Sequence, residues 1–181
     1  MRYISFLFIC LICVSCGYRF GQGTSLTQGR TISVPYIEGD QDGDLTAALI
    51  KECVTSGGLR YARERGDLIL KVKILTFRDE NIGFRYDRKK SGKLDDSLLP
   101  SEVRLSALAE VVVLNGSNCK IILGPARINA SVDFDYCTTC EGVNVFSLGQ
   151  LSDLEAARNA AMEPLNRTLA QRIVDYLTNS W

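Results

Sequence analysis

The alternation of apolar and polar positions along the chain predicts four β-strands. The first, at 31–36, is short and rich in β-branched residues, and the others span about 67–77, 103–114 and 119–136. Each longer run places apolar side chains on one face and polar side chains on the other, as in strands with one solvent-facing side. The sequence NGSN at 115–118 predicts a hairpin turn, and Gly124-Pro125 predicts a bulge in the last strand.

Apolar positions at helical spacing predict two α-helices. The first follows a cap at Asp42 or Asp44 and stops at the SGG sequence of 56–58. The second spans about 153–179, and Pro164 within it predicts a kink. Its apolar stripe is Leu154, Ala157, Ala161, Leu165, Leu169, Ile173 and Leu177. The order of elements predicts an α+β two-layer sandwich, with two helices packed on one face of a roughly four-stranded mixed sheet.

The other face of this sheet is predicted to be polar. It carries Lys71, Lys73, Asn129 and Asp133, and it must meet water or a polar partner. Four acidic residues lie on the alternating strands: Glu102, Glu110, Asp133 and Asp135. Such carboxylates could in principle pair for acid–base chemistry, but their positions favour solvent-facing strand residues.

The N-terminal segment is typical of an exported, lipid-anchored protein. The apolar run from Ile4 to Val14 follows a single charge at Arg2, and it is shorter than the roughly 20 residues that a spanning helix needs. It ends in CVSC, which resembles a bacterial lipobox except that Cys13 stands where Leu is usual. We therefore expect residues 1–15 to be a signal peptide and Cys16 to be lipidated. Residues 16–30 then form a flexible leader, and 31–181 form one domain. A plain signal peptide or a short anchor is the alternative.

Composition removes several classes of function. The chain contains no histidine, which excludes Ser-His-Asp and Cys-His nucleophilic machinery and histidine metal sites. Loss of Arg2 with the signal leaves 20 basic against 21 acidic residues, so general nucleic-acid binding is not indicated. No Gly-rich phosphate loop follows a strand. These absences argue against a hydrolase, and we expect no cofactor and no metal.

Four cysteines remain in the expected mature chain besides Cys16. Cys137 and Cys140 form a CxxC sequence after the last strand, for which a local disulfide is the favoured interpretation. A redox pair is less favoured because no helix N-terminus follows to lower the thiol pKa. Half of a zinc site is another alternative. Cys53 lies on the apolar stripe of the first helix, where it is either a small core residue or a disulfide partner of Cys119.

A loop expected between the second and third strands is strongly basic. Five positive charges fall within nine residues: Arg85, Arg88, Lys89, Lys90 and Lys93. Phe84 and Tyr86 are interleaved with them. Such a cluster can hold phosphate or carboxylate groups, and the aromatic side chains suit an amphipathic ligand. The alternative is a solvated loop without a ligand.

Several ordered features resemble the LptE family of lipopolysaccharide-assembly lipoproteins. They are CGYRF at 16–20, TISVPYIEGD at 31–40, LTAALIKECVTSGGLR at 45–60, GDLILKVKI at 66–74 and GQLSDLEAARNAAMEPLNRTLAQRIVDYL at 149–177. No single motif is highly specific, but their order and spacing are. The basic cluster and the Cys137–Cys140 pair depart from the pattern.

The resemblance implies a non-catalytic role at the outer membrane. LptE-like proteins lie inside the LptD β-barrel as a plug, help it assemble, and help deliver lipopolysaccharide. By similarity to lipoprotein sorting signals, Gly17 also favours the outer membrane, with the protein anchored on its periplasmic side. The basic cluster becomes a candidate lipopolysaccharide site. The alternatives are an exported thiol-disulfide protein using Cys137 and Cys140, and a lipoprotein scaffold with another partner.

Overall fold

The computed structural model describes residues 29–88, 94–136 and 154–179. These residues form five strands and two helices. In chain order the elements are β1 (Thr31–Ser33), α1 (Asp44–Thr55), β2 (Arg60–Tyr61), β3 (Leu68–Arg88), β4 (Leu94–Asn115), β5 (Ile121–Asp135) and α2 (Leu154–Asn179).

The strands form one mixed sheet in the order β2-β1-β3-β4-β5. β1 runs parallel to β2 and β3, whereas β3, β4 and β5 are antiparallel neighbours. Both helices pack on one face of the sheet and against each other. The predicted α+β architecture is confirmed, with one strand more than expected. The extra strand, β2, is only two residues long, which is too short to leave an alternating pattern.

The core lies between this face and the helices. Its largest fully buried side chains come from every layer: Ile32, Ile37, Leu45, Leu49, Leu70, Leu105, Val111, Val113, Leu165, Leu169 and Ile173. The predicted stripe of the C-terminal helix is buried except for Leu154, which is exposed at the first position of α2. The helix includes Pro164 in its interior, and the kink expected there stays a prediction.

The cap of α1 differs from the sequence prediction. The N-terminal cap position is Gly43, in a left-handed conformation with φ of 80°, and it makes no side-chain capping bond. The carboxylate of Asp40 takes that role, because it accepts hydrogen bonds from the backbone N–H groups of Leu45 (3.4 Å) and Thr46 (2.8 Å). The loop folds the Asp40 side chain back over the helix N-terminus, so the expectation of Asp42 or Asp44 was wrong. The predicted stop is confirmed, since Gly57 follows the helix with φ of 70°.

The hairpin of β3 and β4 is much longer than predicted. The expected strands at 67–77 and 103–114 continue through Arg88 and from Leu94, so most of the segment expected to be a loop is paired strand. The first strand is shorter than expected and ends at Ser33. The turn at 115–118 is confirmed by the bond from Cys119 N–H to Asn115 C=O (2.9 Å). The bulge at Gly124-Pro125 is confirmed by the register shift opposite Val112.

Candidate functional site

The sheet surface opposite the helices is polar. We call it the outer face. Its polar members are Lys71, Lys73, Arg78 and Glu80 of β3, Arg104, Ser106 and Glu110 of β4, and Arg127, Asn129, Ser131 and Asp133 of β5. The half-buried side chains of Ile69, Leu108 and Val112 lie among them. Among the described residues, no element covers this face. The alternation that buries every second residue of these strands against the helices necessarily turns the residues between them outward.

Charges on the outer face alternate in sign across neighbouring strands. One row aligns Lys73, Glu110 and Arg127, and these are direct register partners. A second row aligns Glu80, Arg104 and Asp133 in the opposite order of sign. Opposite charges on adjacent strands stabilise the pairing modestly and leave a surface with little net charge. Such a surface suits a polar partner better than an anionic polymer.

The best-defined pair on this face joins Arg104 and Asp133. The guanidinium Nε and one terminal N–H donate to the two carboxylate oxygens at 2.7 and 2.8 Å, a bidentate arrangement. These hydrogen bonds lower the pKa of Asp133 and raise the pKa of Arg104. Lys73 forms a second ion pair with Glu38 of the loop after β1, and this contact raises the pKa of Lys73.

The far end of the long hairpin is a two-stranded ribbon. β5 ends opposite Glu102, and the N–H of Tyr136 donates to the carbonyl of Ser101 (3.1 Å), so in the described part of the chain residues 84–88 and 94–100 pair only with each other. We call these residues the ribbon. Its register places Tyr86 opposite Leu98 and Phe84 opposite Pro100, all on one side. Phe84 is 55% exposed, Tyr86 61% and Leu98 54%, so this side presents an apolar patch to solvent.

The predicted basic cluster begins within this ribbon. Arg85 and Arg88 belong to β3, opposite Leu99 and Leu94 respectively, and Arg85 is half-buried. Lys89, Lys90 and Lys93 lie outside the described residues. The structure therefore places the start of the cluster on the same ribbon as the exposed aromatic side chains, but strand alternation puts Arg85 on the side opposite Phe84 and Tyr86. A ligand role for these residues stays a prediction.

The described thiols do not form a reactive site. Cys53 is buried and Cys119 is exposed, and both are free, so the alternative of a disulfide between them was wrong. Burial, followed by the charge of Glu52, raises the pKa of Cys53 to about 12, which keeps its thiol protonated and inert. No group of three acidic, histidine or cysteine side chains suited to a metal exists in the described ranges. The predicted disulfide of Cys137 and Cys140 lies outside those ranges.

The strand carboxylates occupy the solvent-facing positions expected of them. Asp133 is paired with Arg104, and Glu110 lies between Lys73 and Arg127. Glu102 is the register partner of Asp135, and its side chain lies across Gly83, where an added Cβ would approach its carboxylate at 2.7 Å. This contact explains the glycine at that point of the hairpin.

The N-terminal segment, with the predicted signal and Cys16, lies outside the described residues. Within 29–88, 94–136 and 154–179, no helix is both long enough and apolar enough to cross a membrane.

A cleft of about 550 Å³ lies on the helix side of the sheet, and sequence reasoning missed it. It is bordered by the loop before α1, by β3 and by the N-terminal half of α2. Its lining residues are Gly39, Asp40, Gln41, Asp42, Asp44, Ile74, Phe77, Arg158, Asn159, Met162 and Asn166. The one available sequence signal was Asn166, a polar residue next to the apolar stripe of α2.

A comparison with models of protein families identifies the family of this chain. A family model described as LptE, lipopolysaccharide assembly, matches residues 29–177. The chain belongs to the LptE family. The resemblance seen in the sequence is thereby confirmed, and the match includes the whole sheet, α1, and α2 as far as Leu177. No protein of curated function matches the sequence significantly.

Two solved structures with TM-scores above 0.5 show the same fold at low sequence identity, and a third is a weaker match. A protein described as a lipoprotein from Caulobacter crescentus CB15 is 14% identical with a TM-score of 0.51, covering 82% of this chain and 89% of its own. The protein XCC0632 from Xanthomonas campestris is 13% identical with a TM-score of 0.53, covering 84% and 85%. Rare lipoprotein B from Shewanella oneidensis is 14% identical with a TM-score of 0.43, covering 83% and 92%.

Proposed function

We propose that this LptE-family protein is the lipid-anchored partner of an LptD-type outer-membrane β-barrel. It lies within the lumen of the barrel as a plug, helps the barrel to assemble, and assists the delivery of lipopolysaccharide to the cell surface. Membership of a lipopolysaccharide-assembly family supports the general role. The observation that carries the plug role is the outer face.

The outer face has the properties that the lumen of a large barrel requires of its contents. The interior walls of such barrels are polar, so a plug must present hydrogen-bonding groups to them. The outer face presents charged and amide side chains along three strands, in rows whose charges nearly cancel. Side chains of this kind can bond to a polar wall directly or through bridging water.

The ribbon is proposed to contact lipopolysaccharide. Phosphate and carboxylate groups of this ligand would be held by Arg85, Arg88, Lys89, Lys90 and Lys93, of which arginine gives bidentate bonds to such groups. The exposed side of Phe84, Tyr86 and Leu98 would contact the apolar part of the same molecule. This assignment combines cationic and apolar groups of one hairpin end, where Arg85 lies on the side of the ribbon opposite Phe84 and Tyr86.

The proposal also assigns roles to Cys16 and to the pair Cys137 and Cys140. Cys16 carries the lipid that holds the mature chain on the periplasmic side of the outer membrane, and two acyl chains or more give stable anchoring. The protein acts by binding alone, without catalysis, cofactor or metal. Cys137 and Cys140 are proposed to close a local disulfide. No finding supports the thiol-disulfide alternative.

The partner is tested by purifying the lipidated protein from its native envelope in mild detergent. We expect a large outer-membrane β-barrel of LptD type in near-equal amount. A Cys16→Ala variant tests the anchor separately, because it should lose membrane retention while keeping its fold. Purification of the lipidated protein alone, or with an unrelated partner, would contradict the plug role.

Lipopolysaccharide binding is tested by replacing the five basic residues of the cluster with Gln. We expect affinity to fall about tenfold or more, since exposed charged contacts each contribute about 0.2–1 kcal/mol. A control variant neutralises five remote cations that lie outside the ribbon and the outer face: Lys51, Arg63, Arg65, Lys120 and Arg167. Equal losses in both variants would show a non-specific charge effect, and no loss in the first would end the assignment.

A further inference from the structure

The cleft on the helix side of the sheet has a polar floor without a partner. Asn166 is only 5% exposed, and its side-chain amide makes no hydrogen bond to any described residue. Buried amide groups nearly always have a partner, and this one lines an open space of about 550 Å³. An amide offers both a donor and an acceptor. The floor of the cleft is therefore suited to a ligand that carries hydroxyl groups.

The wall of the cleft is apolar and partly exposed. Ile74 and Met162 are half-buried, and the ring of Phe77 is 37% exposed. An exposed aromatic ring beside planar polar side chains such as Asn159 and Gln41 can contact the C–H face of a sugar ring while those side chains bond to its hydroxyls. The volume falls within the range of small-molecule sites.

The rim of the cleft is negatively charged. Asp42 and Asp44 are exposed, and neither has an ion-pair partner among the described residues. The other two charged groups nearby are already engaged. Arg158 donates to Asp79 at 3.0 Å, and the carboxylate of Asp40 is used at the N-terminus of α1. The helix terminus is thus closed to an anionic ligand, and the free charges favour a cation.

We propose that this cleft binds an amino sugar. The hydroxyl groups meet the amide of Asn166, the ring lies against Phe77 and Met162, and the ammonium group meets Asp42 and Asp44. The site is separate from the outer face and from the ribbon, so the inference does not rest on the proposed plug role.

The test is a titration of the full mature chain, followed by nuclear magnetic resonance of its amide groups. Glucosamine is the probe, at a pH where its amine is protonated, and glucose is the neutral control of the same ring size. We expect glucosamine to shift the signals of Asn159, Met162 and the side chain of Asn166, with affinity in about the millimolar range. Glucose should bind more weakly, and added salt should reduce the difference.

Two variants test the acidic rim and the amide of Asn166 separately. Asp42→Asn with Asp44→Asn should lower glucosamine affinity about threefold to tenfold, to the level of glucose. Asn166→Leu should weaken both sugars. Asp175→Asn removes an exposed charge outside the cleft and should change neither. Asn166 is buried, and its replacement could disturb the fold. The two aspartates are exposed, so the Asp42→Asn, Asp44→Asn variant keeps the fold intact and still tests the proposal.

Three outcomes would overturn the proposal. Signals that do not move at saturating glucosamine would show that water alone meets the amide of Asn166. Equal binding of glucose and glucosamine would remove the role of the acidic rim, and so would unchanged affinity in the Asp42→Asn, Asp44→Asn variant. If glucosamine binds, a titration with a β1,4-linked glucosamine disaccharide distinguishes a glycan from a free amino sugar as the ligand. Tighter binding than the single sugar supports a glycan unit, and equal binding supports a free amino sugar.

Discussion

Replacing Asp40 with alanine should destabilise the domain more than any change at the neighbouring aspartates. One carboxylate oxygen of Asp40 accepts bonds from the backbone N–H of Thr46 at 2.8 Å and from its hydroxyl at 2.6 Å. The other accepts the N–H of Leu45 at 3.4 Å. Loss of a helix cap costs about 0.5–2 kcal/mol. Leu45 is fully buried, so water cannot readily replace its acceptor, and we expect about 2 kcal/mol.

The assay is urea unfolding of the mature chain produced without its lipid, followed by circular dichroism. With a slope of about 2 kcal/mol per molar urea, the midpoint should fall by about 1 M. Asp42→Ala is the matched control, because Asp42 is exposed in the same loop, and it should change stability by less than about 0.5 kcal/mol. A small effect of Asp40→Ala, or an equal effect at Asp44, would refute the assignment of Asp40 as the cap.

Three further results are expected. The hydrogen bonds from Arg104 hold the pKa of Asp133 below its ordinary value. The ion pair therefore stabilises the fold above the ordinary aspartate pKa, and this contribution is lost as pH falls through the lowered pKa of the folded state. Acid unfolding of Arg104→Gln against wild type measures this contribution. At neutral pH an alkylating reagent should modify Cys119 and leave Cys53 intact until the chain unfolds, which mass spectrometry of peptides measures. Modification of both thiols in the folded chain would contradict the inert state of Cys53. Leu165→Ala should lower the free energy of unfolding in urea by about 2–5 kcal/mol, because the side chain is fully buried. Leu154→Ala, at the exposed first position of the same helix, should lower it little.

The sequence predicted the part of the fold in which one face is buried. In β5 the alternation of Ile128, Ala130 and Val132 with polar neighbours matches the observed burial, since a strand packed against helices must repeat every two residues. The stripe of α2 was predicted for the same reason at a period of 3.6 residues. The glycines that end α1 and the turn at 115–118 depend on local backbone preferences, which are visible without tertiary structure.

Sequence reasoning missed the features that leave no periodic pattern of buried residues along the chain. The ribbon is exposed on the side of Phe84 and Tyr86, so its strands carried no apolar alternation and were taken for a loop. Asp40 caps α1 from outside the helix, through a loop path that sequence spacing does not reveal. The cleft depends on how the loop before α1, β3 and α2 meet in space, and the one sequence signal, Asn166, was too weak to predict it.

The most direct measurement of the plug role is photo-crosslinking in the native envelope. A photoreactive residue placed at Ser131, on the outer face, should yield a covalent product with a large β-barrel of the outer membrane. The same residue at Lys51, exposed on the helix side of the domain, provides a comparison of the two surfaces. We predict a strong barrel product from Ser131. The absence of any barrel product from the outer face, in protein that is correctly lipidated and folded, would contradict the central claim.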